Sequence, residues 1–147
     1  IVDGLDRELV YEALEPTKIY VKPLLKTAAE VQVKAAVHIT GDAYLKFNNF
    51  AGFSPGIGFK FTNFKPQPIF KLIQDTARQL KGIISDEEMF KTFNMGWGFA
   101  VIVSNEEKDE TVDSLEKGGV QAEQIGRVTA SCNIVIRKRN KKILLKG

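Results

Sequence analysis

Residues 33–42 read VKAAVHITGD, and this stretch decides the fold class of the 147-residue chain. The residues before the threonine are nearly all apolar, which is typical of a strand that is covered on both faces. Residues 40–42 then break the strand, and a helix is predicted over 43–50. A second apolar run at 99–103 predicts another buried strand. Because such strands alternate with helices along the chain, we predict an α+β domain with α/β/α layers.

Capping residues and apolar periodicity predict the remaining elements. Ser85 and Glu88 form a capping box, which predicts a helix that runs to about Phe93. Asn105 is expected to cap a further helix. No repeat or linker divides the chain, so residues 1–147 are predicted to form a single domain. The other predicted helices cover 5–14, 24–31, 68–80 and 105–118, and the other predicted strands cover 18–21, 57–61, 122–130, 133–138 and 143–145.

The composition excludes several classes of protein. Apolar residues make up 44% of the chain and charged residues 27%, which excludes wholesale disorder. Cys132 is the single cysteine, so no internal disulfide forms, and one cysteine with one histidine cannot complete a structural zinc site. No apolar run approaches the roughly 18 residues of a membrane span. The start at Ile1 lacks a basic and apolar leader, which indicates an excised sequence and not a secretory precursor.

The positive charge is concentrated at the carboxyl end of the chain. Six of the 21 cations follow residue 136, and the 15 cations before it stand against all 18 acids, a net charge of −3. A basic tail is compatible with nucleic acid or an anionic membrane surface. The simpler interpretation is an edge strand whose lysines prevent aggregation. The body offers no second basic stripe, so neither a nucleic-acid nor a membrane partner is predicted.

The turn at residues 38–42 is the first candidate site. It follows a buried strand and opens a helix, where ligands bind in open α/β sheets. Free amides and the Thr40 hydroxyl suit a phosphate or another anion. His38 is the only histidine, and a single histidine at a strand end is more often structural than catalytic. Asp42 repels an anion unless a cation intervenes, and its alternative interpretation is a helix cap.

A second turn, FNMGWG at residues 93–98, lies between a predicted helix and a predicted strand. Gly96 and Gly98 alternate there, and such glycines allow a ligand or another backbone to come close. The alternative is a helix C-cap followed by strand entry. The spacing alone supports the two interpretations about equally.

Aromatic residues are concentrated between positions 47 and 70, where lysines interleave with them. This mixture is compatible with a single-stranded nucleic-acid platform. Core packing, together with an interface to a missing domain, is the preferred interpretation, and an exposed apolar patch is expected over 47–64. The phenylalanines are Phe47, Phe50, Phe53, Phe59, Phe61, Phe64 and Phe70.

Four ordered strings resemble one known family. They are EPTKIYVKP at 15–23, AVHITG at 36–41, EEMFKTFNMGWG at 87–98 and IGRV at 125–128. Together they resemble the carboxyl-terminal half of the phosphoribosylformylglycinamidine cyclo-ligases (aminoimidazole ribonucleotide synthetases, or PurM proteins). The resemblance covers about residues 10–136.

The resemblance implies a fold and an activity. The fold would be a PurM C-terminal-domain-like mixed sheet with partial ferredoxin-like topology. Residues 1–147 would form the second half of a two-domain synthetase whose amino-terminal half, absent here, holds ATP and magnesium. The enzymes are cytoplasmic homodimers of purine biosynthesis, in which ATP activates the formyl oxygen of formylglycinamidine ribonucleotide before the imidazole ring closes. The alternative function is a stand-alone ligand-binding or interaction module of the same superfamily without catalytic activity.

The resemblance also implies that both turns line the cleft between the two halves of the enzyme, where they would contact the phosphate or ribose of the nucleotide substrate. It assigns no catalytic residue and no metal ligand in this half. The family pattern has glycines at positions 42 and 43, where this chain has Asp42 and Ala43. The implied substrate-binding residues are His38, Thr40, Gly41, Asp42, Asn94, Gly96 and Gly98.

Overall fold

The computed structural model describes residues 4–63, 65–138 and 140–145. Helices and strands alternate along this part of the chain, and the mixed α+β architecture predicted above is confirmed. The helices are α1 (Leu9–Ala13), α2 (Val21–Glu30), α3 (Pro68–Gln79), α4 (Asp86–Thr92) and α5 (Lys108–Lys117), with a 3₁₀ helix at Ala43–Gly52. The strands are β1 (Ala35–His38), β2 (Gly58–Phe61), β3 (Phe99–Ile102), β4 (Gly126–Thr129), β5 (Ile134–Lys138) and β6 (Lys141–Leu145).

The strands form two sheets. The larger sheet has the order β4-β2-β5-β6, and only its β2–β5 pair is parallel among the described strands. The smaller sheet pairs β1 with β3 in antiparallel register, so that His38 lies opposite Phe99. Antiparallel pairing places the end of β1 beside the beginning of β3. The turns that follow β1 and precede β3 therefore meet at one end of the small sheet.

Aromatic side chains build the core between the 3₁₀ helix, α4 and the larger sheet. The Tyr44 ring lies 5.2 Å from the Phe61 ring and 5.6 Å from the Phe90 ring, both edge to face. The Phe47 ring lies 4.9 Å from the Phe59 ring. Such pairs add about 0.5–1.5 kcal/mol each beyond the area they bury. Burial also raises the pKa of the Tyr44 phenol well above its ordinary value.

The prediction of an exposed apolar patch over 47–64 is wrong, and the exposed apolar residues lie elsewhere in the chain. Phe47, Phe59 and Phe61 are 2–4% exposed, because their rings fill the core. Phe53 is the exposed member of the group, and Phe64 lies outside the described residues. An exposed apolar surface is found instead around α1 and the start of α2, on Leu9, Val10, Tyr11, Leu14, Ile19, Val21 and Leu25.

Several predicted boundaries differ from the structure for identifiable reasons. The predicted strand at 18–21 is absent, because Leu24 N–H donates to the carbonyl of Tyr20 at 3.0 Å and α2 begins at Val21. The predicted strand at 122–130 is reduced to β4, since β2, its partner, is only four residues long. The helix predicted over 5–14 is shorter in the structure, where it consists of α1 alone.

The predicted caps had mixed outcomes. Ser85 Oγ accepts a hydrogen bond from Glu88 N–H at 3.0 Å, as the capping box requires. Asn105 does not cap α5, whose N-cap position is held by Glu107 without a side-chain cap. Asp42 holds the N-cap position of the 3₁₀ helix, and its side chain makes no capping hydrogen bond either.

Candidate functional site

The structure brings the two predicted turns together at one end of the small sheet. Ile39 N–H, just after β1, donates to the carbonyl of Gly98 at 2.9 Å. The Tyr44 hydroxyl, at the start of the 3₁₀ helix, donates to the carbonyl of Asn94 at 3.0 Å. Residues 38–44 and 94–98 are therefore adjacent, and all seven predicted site residues belong to these two segments.

The first turn is tightly wound. Asp42 and Ala43 both have positive φ angles, 62° and 38°. Leu45 N–H donates to the Asp42 carbonyl at 2.8 Å, an i to i+3 bond that continues as a 3₁₀ helix and not as the α-helix expected. These are the two positions at which the resemblance implies glycine. The backbone of this chain has a shape there that glycine adopts without strain.

The amides of this turn are partly used by the turn itself. Thr40 N–H donates to the His38 carbonyl at 3.0 Å, and Ala43 N–H donates to the Thr40 carbonyl at 2.8 Å. Gly41 lies between them, and a Cβ added there would meet no heavy atom within 4 Å. The turn therefore has fewer free amides than the sequence predicts. The open face of the turn is at Gly41.

Lys46 is the site residue that sequence reasoning missed. Its ammonium group donates to the His38 carbonyl at 3.3 Å and to Thr40 Oγ1. Because Thr40 Oγ1 accepts this bond, the hydroxyl proton of Thr40 is directed to another acceptor. Lys46 also brings a positive charge to the turn that carries Asp42. The sequence signal that could have found Lys46 is a lysine within the first turn of the helix after the loop.

An aromatic cluster supports the His38 side of the site. The His38 ring lies 5.7 Å from the Phe99 ring and 6.0 Å from the Tyr20 ring, and Tyr20 and Phe99 lie 5.2 Å apart. His38 is exposed and Tyr20 is half-buried. Burial raises the pKa of the Tyr20 phenol. The imidazole is therefore positioned by two rings and remains open to a ligand.

Side chains from other parts of the protein come close to the backbone at the glycines of the second turn. A Cβ at Gly98 would collide with the Tyr20 hydroxyl, and one at Gly96 would lie 3.3 Å from Gln67 Cγ. Asn94 Oδ1 accepts a hydrogen bond from Gly96 N–H at 3.0 Å, so this side chain shapes its own turn. Met95 and Gly96 have positive φ angles. The close approach expected at these glycines is therefore made by Tyr20 and Gln67.

A polar chain connects the second turn to the larger sheet. Trp97 Nε1 donates to Glu123 Oε1 at 3.0 Å, and Asn63 Nδ2 donates to Glu123 Oε2 at 2.9 Å. Asn63 also donates to the Gln124 carbonyl at 3.3 Å. The loops after β2 and before β4 are thereby held beside Trp97.

Potential metal ligands are scattered over the part of the chain that the structure describes. Within 4–63, 65–138 and 140–145, no three histidine, cysteine, aspartate or glutamate side chains lie together. Magnesium is bound by carboxylates together with water or phosphate oxygens. The same ranges include no helix long and apolar enough to cross a bilayer.

The comparison with protein families decides the identity of the fold. The family described as AIR synthase related protein, C-terminal domain, matches residues 2–139. This chain belongs to that family. The resemblance carried by the four sequence strings is thereby confirmed, and the two turns and Lys46 are features of an AIR synthase related C-terminal domain.

Individual relatives agree with the family. The chain is 37% identical over 133 residues to a phosphoribosylformylglycinamidine cyclo-ligase of Bacillus licheniformis, covering 88% of this chain and 36% of the relative. It is 39% identical over 126 residues to the protein of the same name from Methanocaldococcus jannaschii, covering 84% and 34%. The chain therefore spans about a third of the length of the curated relatives it matches.

One solved structure shares the fold at low sequence identity. A chain of the HypE–HypF complex superposes with a TM-score of 0.63 at 15% identity, covering 93% of this chain and 46% of that chain. This likeness concerns the fold alone. It supports the arrangement of the two sheets and their helices described above.

Proposed function

We propose that this AIR synthase related domain is the carboxyl-terminal part of an ATP-dependent cyclo-ligase. The reaction closes the imidazole ring of formylglycinamidine ribonucleotide to give aminoimidazole ribonucleotide in purine biosynthesis. The observation that carries the proposal is the set of relatives with the cyclo-ligase name, 34–39% identical over 84–91% of this chain. The cytoplasm is the expected compartment.

The surface formed by the two turns is proposed to hold the phosphate or ribose of the substrate. Gly41 faces open space. The Thr40 hydroxyl and the Lys46 ammonium group are hydrogen-bond donors at the same turn. Hydrogen bonds from a charged donor to phosphate are about twice as strong as neutral ones. The exposed His38 imidazole borders this surface and is available to the substrate. Asn94, Gly96 and Gly98 form its second wall.

ATP and magnesium are proposed to bind mainly outside this chain, in the amino-terminal portion that the relatives have in addition. When bound, ATP supplies the phosphoryl group that activates the formyl oxygen. The role of this chain is to bind and orient the ribotide. The exposed apolar side chains between Leu9 and Leu25 support contact with that missing portion, because a contiguous apolar surface usually marks an interface. The complete enzyme is proposed to be a homodimer.

Reconstitution tests this proposal. The chain is fused behind the amino-terminal portion of the Bacillus licheniformis relative, and formation of aminoimidazole ribonucleotide is measured with ATP and magnesium. We expect product from the fusion and none from either part alone. Thr40→Val in the fusion should raise the KM for the ribotide, whereas Thr76→Val, on the exposed face of α3, should not. A folded fusion that binds ATP and forms no product would contradict the proposal.

A further inference from the structure

Two cations lie directly opposite each other on the larger sheet. Lys60 of β2 pairs in register with Arg127 of β4. Cross-strand partners point to the same face of a sheet. Phe59 and Phe61 face the core, so Lys60 and Arg127 share the opposite face. They line a shallow groove with Thr62, Asn63, Gln124 and Gly126.

The two cations of this groove are not held in ion pairs within the described ranges. Neither Lys60 nor Arg127 forms an ion pair with any described residue. The four strands of the sheet carry six cations and no acid. Glu123, the nearby acid in sequence, accepts hydrogen bonds from Trp97 and Asn63, so its negative charge lies beside the groove without an ion pair to either cation. Like charges placed directly opposite each other destabilise a sheet.

Protection of a sheet edge accounts for Arg127 of β4, the other edge strand, but does not account for Lys60. Lysines on edge strands prevent aggregation, and that explanation suits Lys141 and Lys142 of β6. Lys60, however, belongs to β2, which has a neighbour on both sides. An internal strand has no free edge to protect. The pair instead presents the planar fork of an arginine beside the point charge of a lysine, with the Thr62 hydroxyl at the same groove.

We propose that this groove is an anion site that binds the phosphate group of a small phosphorylated molecule. Arginine meets two phosphate oxygens at once, and lysine adds a charge without fixed geometry. The groove is separate in sequence from the turn at residues 38–42, and this inference goes beyond the function proposed above. Binding of phosphate offsets the repulsion between Lys60 and Arg127, so removing either cation abolishes the site and stabilises the empty sheet.

The test is a residue-resolved nuclear magnetic resonance titration of the chain with inorganic phosphate and with ribose 5-phosphate, at ionic strength held constant with chloride. We expect saturable shifts of the Thr62, Gly126 and Arg127 amides with both ligands. Arg127→Met should abolish these shifts. Arg137→Met removes a cation of β5 opposite Lys142, outside the groove, and should leave the shifts intact. Without ligand, Lys60→Met should raise the melting temperature by about 1–3 °C.

Three results would overturn the site. Shifts that remain linear in phosphate, or that Arg137→Met removes as completely as Arg127→Met, would indicate general screening of a basic sheet. Shifts confined to the amides of residues 40–42 would place phosphate at the turn alone. A melting temperature lowered by Lys60→Met would show that Lys60 stabilises the sheet and is not held there against repulsion. None of these readouts depends on ring-closing activity, so the groove and the proposed function fail separately.

Discussion

Lys46 and Thr40 are hydrogen-bonded to each other across the turn that ends β1. The same ammonium group reaches the His38 carbonyl at 3.3 Å. One side chain thus holds the strand end and the turn together and leaves the Thr40 hydroxyl proton for a ligand. Lys46 also brings a positive charge to the turn that carries Asp42, the residue whose carboxylate is hardest to reconcile with an anionic substrate. The chemistry proposed for this surface depends on that pair.

Replacing Asp42 with glycine is expected to stabilise the chain by about 0.5–1 kcal/mol. Asp42 has φ of 62°, which glycine adopts without strain. Urea unfolding monitored by circular dichroism measures the difference. Asp42→Asn is the matched control, because asparagine removes the charge and tolerates the same backbone shape. A glycine variant no more stable than the parent chain would show that the backbone is not strained at this position.

Gly98→Ala is expected to destabilise the chain by about 1–3 kcal/mol, because its methyl group would overlap the Tyr20 hydroxyl. Tyr20→Phe removes that oxygen, so the double variant should regain part of the loss. Gly41→Ala is the control, since nothing lies within 4 Å of its added Cβ, and it should be nearly neutral. Thermal unfolding of the parent chain, the Gly98→Ala variant, the Tyr20→Phe variant and the double variant completes a double-mutant cycle. Strict additivity would contradict the contact.

The acid stability of the chain is expected to depend on Asp86. Burial raises the pKa of this carboxyl, but hydrogen bonds from Lys138 at 2.8 Å and Gln74 at 3.2 Å outweigh it and lower the pKa below its ordinary value. A depressed folded-state pKa stabilises the native state above the unfolded pKa of about 3.9 and ceases to do so as pH falls through the folded value.

Asp86→Asn should therefore cost on the order of 1 kcal/mol at neutral pH, and the difference from the parent chain should shrink in acid. Urea midpoints measured across a pH series give the comparison. Asp109→Asn, on the exposed side of α5, serves as the control. An unchanged difference between the Asp86 variant and the parent at every pH would exclude a titrating ion pair as the cause.

The chain by itself is not expected to hydrolyse ATP. Its described residues form no cluster of three potential metal ligands, and the family resemblance assigns nucleotide and magnesium to the other half of the enzyme. Release of phosphate from ATP by the purified chain, with magnesium present, is the measurement. Activity above a heat-denatured control, retained through successive purification steps, would show that this half carries nucleotide chemistry of its own.

Local patterns predicted those features that local interactions determine. The apolar runs at β1 and β3 and the Ser85 capping box are decided within a few residues, and the structure contains them. The core is different, because Phe47, Phe59 and Phe61 come from separate elements. Sequence alone did not decide whether those rings face one another or a missing domain. The exposed apolar segment was consequently assigned to the wrong part of the chain.

Sequence patterns located the two turns but not the contacts that connect them to the rest of the fold. Strand ends and glycines identified both turns, but the hydrogen bond between Lys46 and Thr40 crosses the turn and leaves no periodic pattern in the sequence. The role of Gly98 was equally inaccessible, since its neighbour Tyr20 is 78 positions earlier in the chain. Contacts of this kind depend on the assembled β1–β3 pair.

The most direct test of the account is calorimetric titration of the reconstituted fusion with aminoimidazole ribonucleotide. We predict that Thr40→Val and Lys46→Met each weaken binding by about 10-fold or more, the loss expected for a hydrogen bond to a charged group. Lys46→Arg, which keeps the charge, should retain part of the affinity. Undiminished binding in both Thr40→Val and Lys46→Met, with the fold intact, would contradict the claim that this turn holds the substrate.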